Sequence, residues 1–142
     1  MNGKYACVIL AGGKGSRMGG INKARLRYKG ASFYSRIGAE LEKTGLPIYI
    51  SVATYDQSVH DGWVIVKDIV KDENGSYIGP LGGIYSCLVK AGEEGLEGLF
   101  FAPCDAPNYD SSIIRKLAEH IDDETDAVIF SNSEGRLQTV FG

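Results

Sequence analysis

Apolar residues fall along the chain in short continuous runs, separated by stretches with helical spacing. Tyr5-Ala-Cys-Val-Ile-Leu10 is such a run, closed by Gly12-Gly13, and predicts a buried strand leading into a loop. Phe33, Ile37 and Leu41 recur at helical spacing, and Gly45-Leu46-Pro47 stops that helix. Ile48-Tyr-Ile-Ser-Val-Ala53 predicts a second strand, and Trp63-Val-Ile-Val66, ending at Asp68, a third. A helix is expected from about Gly82 to Gly92, with Ile84, Cys87, Leu88 and Ala91 on one side. Leu99-Phe-Phe-Ala102 reads as a fourth strand broken by Pro103. Asp110 can cap a helix bearing Ile113, Ile114, Leu117 and Ile121. Ala127-Val-Ile-Phe130 reads as a fifth strand, and Leu137-Gln-Thr-Val-Phe141 as the start of a sixth.

Strands alternating with amphipathic helices imply an α/β fold, with a mostly parallel sheet and right-handed crossovers. In such open sheets a ligand sits at the carboxyl ends of the strands, where strand order reverses. Each stretch with candidate chemistry follows the end of an expected strand.

The 142 residues fit one domain, and 44% hydrophobic with 23% charged content allows both a core and a soluble surface. Cys7, Cys87 and Cys104 are far apart and form no CxxC or zinc spacing, so reduced thiols in a cytoplasmic protein are expected. The first apolar run is too short for a signal sequence or a membrane span. Net charge is −3, yet residues 1–39 hold eight basic side chains and no acid. A basic region on an acidic chain suits a compact polyanion such as a triphosphate. No aromatic-interleaved basic stripe supports nucleic-acid binding. The acidic run Asp122–Asp126 reads as solvated surface.

Leu10-Ala-Gly-Gly-Lys-Gly-Ser-Arg-Met-Gly-Gly20 places five glycines in eleven residues directly after the first strand. Glycines let backbone N–H groups crowd around phosphate oxygens. Two familiar phosphate loops do not fit. Gly15 to Gly20 has the spacing of a P-loop, but Ile21-Asn22 stands where Lys and Ser/Thr belong. Gly13-x-Gly15 is followed by Met18 where a dinucleotide fingerprint needs its third glycine. Arg17 and Lys23 flank the glycines and supply countercharge for a triphosphate or a departing pyrophosphate. Ala102-Pro-Cys-Asp105-Ala-Pro107 sets Asp105 at a strand's carboxyl end between two prolines. Mg²⁺ bound to phosphates needs only one or two protein carboxylates, which makes Asp105 the candidate metal ligand. Asp68 and the turn Gly79-Pro-Leu-Gly-Gly-Ile84 complete the set.

LAGGKGSRMGG, INK, GPLGGI, PCDAP and GRLQTVF occur in the order seen in the molybdenum cofactor guanylyltransferases, and the chain resembles that family from Ala6 onward. The resemblance implies a three-layer Rossmann-like nucleotidyltransferase fold over a single domain, residues 1–142, lacking the family's C-terminal portion. It implies transfer of GMP from GTP to molybdopterin with Mg²⁺ as cofactor, and contacts with other proteins of molybdenum cofactor biosynthesis. By position, the main chain of Leu10, Ala11 and Gly12, the loop glycines Gly13 and Gly15, and Lys23, Asp68 and Asp105 would bind the nucleotide. Asp105 would also hold Mg²⁺, and Arg17, Lys23 and Asp105 would serve the reaction. LAGG at the strand exit resembles the GTP-using members rather than the LAAG of cytidylyltransferases. Asn22 stands where members have Asp. Ala53 stands at a nucleotide-contacting Asn, so that contact is expected to be missing unless Thr54 supplies it. A cytidylyl or other small-phosphate transferase, and a nucleotide-binding module without turnover, remain the competing classes. His60 and His120 read as surface residues. No histidine base is needed, because a phosphate dianion is already a nucleophile.

Overall fold

The computed structural model describes residues 4–11, 27–28, 30–53, 62–106 and 108–138. Strand β1 (Tyr5–Leu10) is the apolar run expected there, and five of its six residues are buried. A two-residue hairpin, β2 (Arg27–Tyr28) with β3 (Ala31–Ser32), turns through Gly30 at φ 85° and leads into α1 (Phe33–Glu42). Ser32 caps that helix by accepting from the Ser35 N–H at 3.3 Å. Strands β4 (Ile48–Val52) and β5 (Val64–Lys67) follow, then α2 (Pro80–Glu93), β6 (Gly98–Pro103) and α3 (Ser112–Ala118).

The sheet is parallel throughout, in the order β5-β4-β1-β6. Side-chain alternation divides it into two faces. Cys7, Ile9, Ile48, Ile50, Phe100 and Ala102 point to one face, where Ile37 and Leu41 of α1 and Ile114 of α3 cover them. Ala6, Val8, Leu10, Tyr49 and Val66 point to the other, against Cys87 of α2. Helices on both faces make three layers, as the alternation of strands and helices predicts.

Three expectations change. Leu88 is 50% exposed and turns away from the core, because the inward stripe of α2 is Gly82, Gly83, Ser86, Cys87 and Ala91. The capping site of α3 is shared: the Asp110 carboxylate accepts from Ser112 N–H at 2.7 Å, while Ser111 is the first residue outside the helix. The fifth strand shrinks to β7 (Phe130–Ser131), which pairs antiparallel with β8 (Leu137–Gln138) outside the main sheet. Local chemistry explains the last change. Asn132 Oδ1 accepts from the N–H groups of Glu134 and Arg136, and Gly135 adopts φ 75°. A tight turn with its own side-chain bonds joins neighbouring residues at small entropic cost.

Candidate functional site

Strand order places the site. From β1 the chain adds β4 and then β5 on one side, then returns through α2 to add β6 on the other side of β1. The order therefore reverses between β1 and β6, and their carboxyl ends border the crevice where such sheets bind ligands. Leu10 pairs with Pro103 across that boundary, so the chain leaving β1 emerges beside Cys104 and Asp105. Asp105 is half-buried in the turn after β6. Leu10 and Ala11, at the root of the glycine loop, are thus close to the turn that carries Asp105, although about ninety residues apart in sequence.

Leu10 is buried at the last position of β1. The Ala11 N–H donates to the Ser51 carbonyl at 3.0 Å, which prolongs the pairing with β4 by one residue. Ala11 can therefore offer a ligand its carbonyl rather than its N–H. Gly12, Gly13, Gly15, Arg17 and Lys23 lie outside the described residues, as do Asn22, Thr54, His60 and Pro107. His120 is exposed, as expected.

Asp68 takes a different place. It directly follows β5 and is 5% exposed. Its N–H donates to the Val52 carbonyl at 3.0 Å, and its Oδ1 accepts from the Ser51 hydroxyl at 2.8 Å. Its second oxygen, Oδ2, is enclosed and has no hydrogen-bond partner among the described residues. Burial pushes the carboxyl above the usual carboxylate range, and the Ser51 bond offsets this only in part. The first turn of α2 lies directly against the pair: a Cβ on Gly83 would stand 2.4 Å from Ser51 Oγ and 3.3 Å from Asp68 Oδ1. Ser86 on the next turn accepts from the Ile69 N–H at 2.9 Å and donates to the Gly82 carbonyl at 2.6 Å. The Gly82-Gly83 pair of the GPLGG turn thus lets α2 approach the strand ends closely.

Strands lie about 4.8 Å apart, so the ends of β5 and β6 are separated by three steps, on the order of 14 Å. Asp68 and Asp105 consequently cannot ligate one ion together. Of the two, Asp105 fits Mg²⁺. A half-exposed carboxylate beside a polyanion's approach suits a hard cation that takes most of its oxygens from phosphates and water. Asp68, tied to Ser51 through one oxygen and closed over by Gly83 of α2, leaves no room for a cation's shell of oxygens. Among the described residues no group of three or more His, Cys, Asp and Glu could cage a metal.

The cysteines carry no nucleophile in the core. Burial pushes the Cys7 thiol up to about 11 and the Cys87 thiol up to about 12, so both stay protonated at neutral pH. None of the three cysteines forms a disulfide. A cavity of about 280 Å³ opens at the amino ends of β1 and β6, away from the candidate site, between Tyr5, Gly98 and the segment after α3. Its acidic rim of Glu97, Asp122, Asp123 and Asp126 would repel phosphates. No helix among the described residues is long and apolar enough to cross a membrane.

Comparison with known proteins agrees with this architecture. The MobA-like NTP transferase domain matches residues 7–142. The chain is similar to the molybdenum cofactor guanylyltransferase of Vibrio cholerae, 30% identical over 134 residues, covering 94% of this chain and 62% of that protein. It is 28% identical to the Vibrio atlanticus protein of the same name over 94% of this chain and 65% of the relative. The Aliivibrio salmonicida counterpart is 31% identical over 89% of this chain and 62% of its own length. The chain therefore spans somewhat under two thirds of the curated relatives it matches. Among solved structures, a hypothetical transferase from Thermus thermophilus superposes with a TM-score of 0.60 at 20% identity, over 84% of this chain and 48% of that one. A Mycobacterium tuberculosis protein gives 0.57 at 17% identity, over 82% and 59%. These two likenesses establish the α/β fold.

Proposed function

We propose, for a chain that belongs to the MobA-like NTP transferase family, that it transfers GMP from GTP to the terminal phosphate of molybdopterin. The observation that supports this most is the pairing of Leu10 with Pro103, which sets the root of the glycine loop beside Asp105 at the switch point. The curated relatives' common name supports the choice of substrates.

In this reaction an oxygen of the molybdopterin phosphate forms a bond to the α-phosphorus of GTP. The bond from that phosphorus to the oxygen bridging to the β-phosphate breaks, and pyrophosphate leaves with the electron pair. The residues of the chain bind and orient. Amides of the loop beginning at Gly12 cradle the polyphosphate, and Arg17 and Lys23 offset the charge that develops on pyrophosphate. Asp105 would hold Mg²⁺, which would supply charge neutralisation at the reacting phosphates. Asp68, two strand spacings or roughly 10 Å from β1, lies at a reach that suits the nucleoside end of the same molecule. Proton removal from the nucleophile is unnecessary, since the attacking phosphate is already anionic.

Calorimetric titration with GTP and CTP in the presence of Mg²⁺ tests the substrate. GTP should bind at least about tenfold more tightly, a difference of about 1.4 kcal/mol. Equal affinities, or a preference for CTP, would remove the guanylyl assignment. Asp105→Asn, which keeps the shape and removes the charge, should abolish the gain in GTP affinity that Mg²⁺ brings while metal-free binding and the melting temperature stay near wild type. A full Mg²⁺ response in that variant would exclude Asp105 as the ligand.

A further inference from the structure

Ser51 is the residue on which the parts of the candidate site converge. Its main-chain carbonyl accepts from Ala11 at the root of the glycine loop. Its hydroxyl donates to Asp68 Oδ1 at 2.8 Å, and Gly83 of α2 closes over it. The residue is fully buried, in a strand otherwise made of Ile48, Tyr49, Ile50 and Val52. A buried hydroxyl contributes less to packing than an aliphatic side chain and must be hydrogen-bonded to be tolerated. What this one holds is a carboxylate. Alternation puts residues 51 and 53 on the same face of β4, and Ala53 brings no polar group there. At the carboxyl end of that face Ser51 is the side chain that can direct Asp68.

A carboxylate offers roughly four acceptor positions. Ser51 occupies one of them, and Oδ2 is left enclosed with no partner among the described residues. An enclosed acceptor without a donor is unfavourable until one arrives, which is the condition of a preorganised recognition group. Resting on the nucleotidyl-transfer reading, we propose that Ser51 is a positioning residue for the nucleoside half of the substrate: by holding Oδ1 it turns the Asp68 carboxylate so that Oδ2 accepts a hydrogen bond from a nucleoside donor, a base N–H or a ribose hydroxyl. The Ser86 bond to the Ile69 N–H fixes the backbone of the same segment, so Ser51 has only the carboxylate's rotation to settle. The polyphosphate, held at β1, does not meet this pair.

That separation defines the test. Calorimetry gives the contribution of the nucleoside as the dissociation constant of inorganic triphosphate divided by that of GTP. In Ser51→Ala this ratio should fall about five- to tenfold, the effect of one well-placed hydrogen bond, with triphosphate affinity unchanged. Asp68→Asn should lower the ratio at least as far, and combining the two substitutions should add little further. Ser51→Cys, which keeps the volume and a weaker donor, should fall between wild type and Ser51→Ala. Parallel titrations with ITP, which lacks the exocyclic amine, and with 2′,3′-dideoxyGTP, which lacks both ribose hydroxyls, separate the donors; sensitivity of both to Ser51→Ala assigns N1–H, which both retain. The analogue that already lacks the relevant donor will be insensitive to Ser51→Ala. Equal loss of GTP and triphosphate affinity in Ser51→Ala would mark a purely structural serine and overturn the proposal, as would an unchanged ratio. A wild type that binds inorganic triphosphate as tightly as GTP would instead remove the nucleotidyl-transfer reading itself.

Discussion

Gly83 offers a sharp test of how the site is packed. A methyl group placed there would stand 2.4 Å from Ser51 Oγ, far inside van der Waals contact, and 3.4 Å from Ser51 Cβ. Ser51 is fully buried and has two ways to respond. It can keep its rotamer and force α2 outward, an overpacking cost of about 1–3 kcal/mol. Or it can rotate and abandon Asp68, leaving a buried acceptor unmade at about 1–3 kcal/mol. Against either stands the helix preference of Ala over Gly, roughly 0.5–1 kcal/mol. Gly83→Ala should therefore destabilise the chain by about 1 kcal/mol in urea unfolding, the midpoint of these two terms' difference. The second arm changes the sign. In a Ser51→Ala background the obstructing oxygen is gone, and the same substitution should be neutral or stabilising by up to about 1 kcal/mol. Coupling of that size and sign between two residues distant in sequence is what a double-mutant cycle reads directly. If Gly83→Ala costs the same in both backgrounds, the close approach of α2 to Ser51 is not what the glycine serves.

Other expectations follow from the same coordinates. Tyr109 has a buried hydroxyl with no partner among the described residues, so Tyr109→Phe should stabilise the fold by about 1 kcal/mol in urea unfolding; destabilisation would mean the hydroxyl is satisfied. Gly38 of α1 lies under Trp63, where a Cβ would stand 2.1 Å from the indole ring. Gly38→Ala should therefore cost about 1–3 kcal/mol by overpacking and red-shift the fluorescence of this single tryptophan; an unshifted spectrum with unchanged stability would contradict the packing. Asp68 titrates above its unfolded value, so its protonated form is the better tolerated when folded. Its penalty is absent below the unfolded pKa, grows as pH rises through the window up to the folded pKa, and is constant above it. The stability of Asp68→Asn relative to wild type should thus increase with pH across that window, and a difference that is flat or falls with pH would refute the assignment.

The sequence made the frame legible because a three-layer α/β fold writes its core plainly. Buried parallel strands are continuous apolar runs, and β1, β4, β5 and β6 each lie where such a run occurs. The Ala127–Phe130 run shows the weakness of that signal. Four apolar residues make a strand only if a neighbouring strand accepts them, and here the turn at Asn132–Gly135 recruits Phe130 into a local hairpin instead. Likewise Leu88 fits the apolar periodicity of α2 but lies outside its inward stripe. The small residues Gly82, Gly83, Ser86 and Ala91 define that stripe, because the helix lies close to the sheet. Apolarity measures what can be buried, and close approach selects what is.

The candidate site divides along the same line. Asp68 and Asp105 were visible because an acid just past an apolar run is unusual, and strand order then separates their roles. The two ends lie three strand steps apart, on the order of 14 Å, so one carboxylate can meet cation-bound phosphates while the other meets the far end of the same ligand. Ser51 carried no such mark. Within Ile48-Tyr-Ile-Ser-Val a lone serine has the look of a tolerated core residue. Its importance arises from register: β4 beside β5 brings it to Asp68, and Gly83 of α2 leaves the space in which that contact is made. The glycines at 82 and 83 were the one trace of this in the sequence. They read as a glycine turn leading into a helix, and Gly83 serves to admit a serine and an aspartate beneath that helix. A glycine can stand in a sequence to let backbone reach a ligand or to let two side chains reach each other, and only the neighbour across the sheet distinguishes the two.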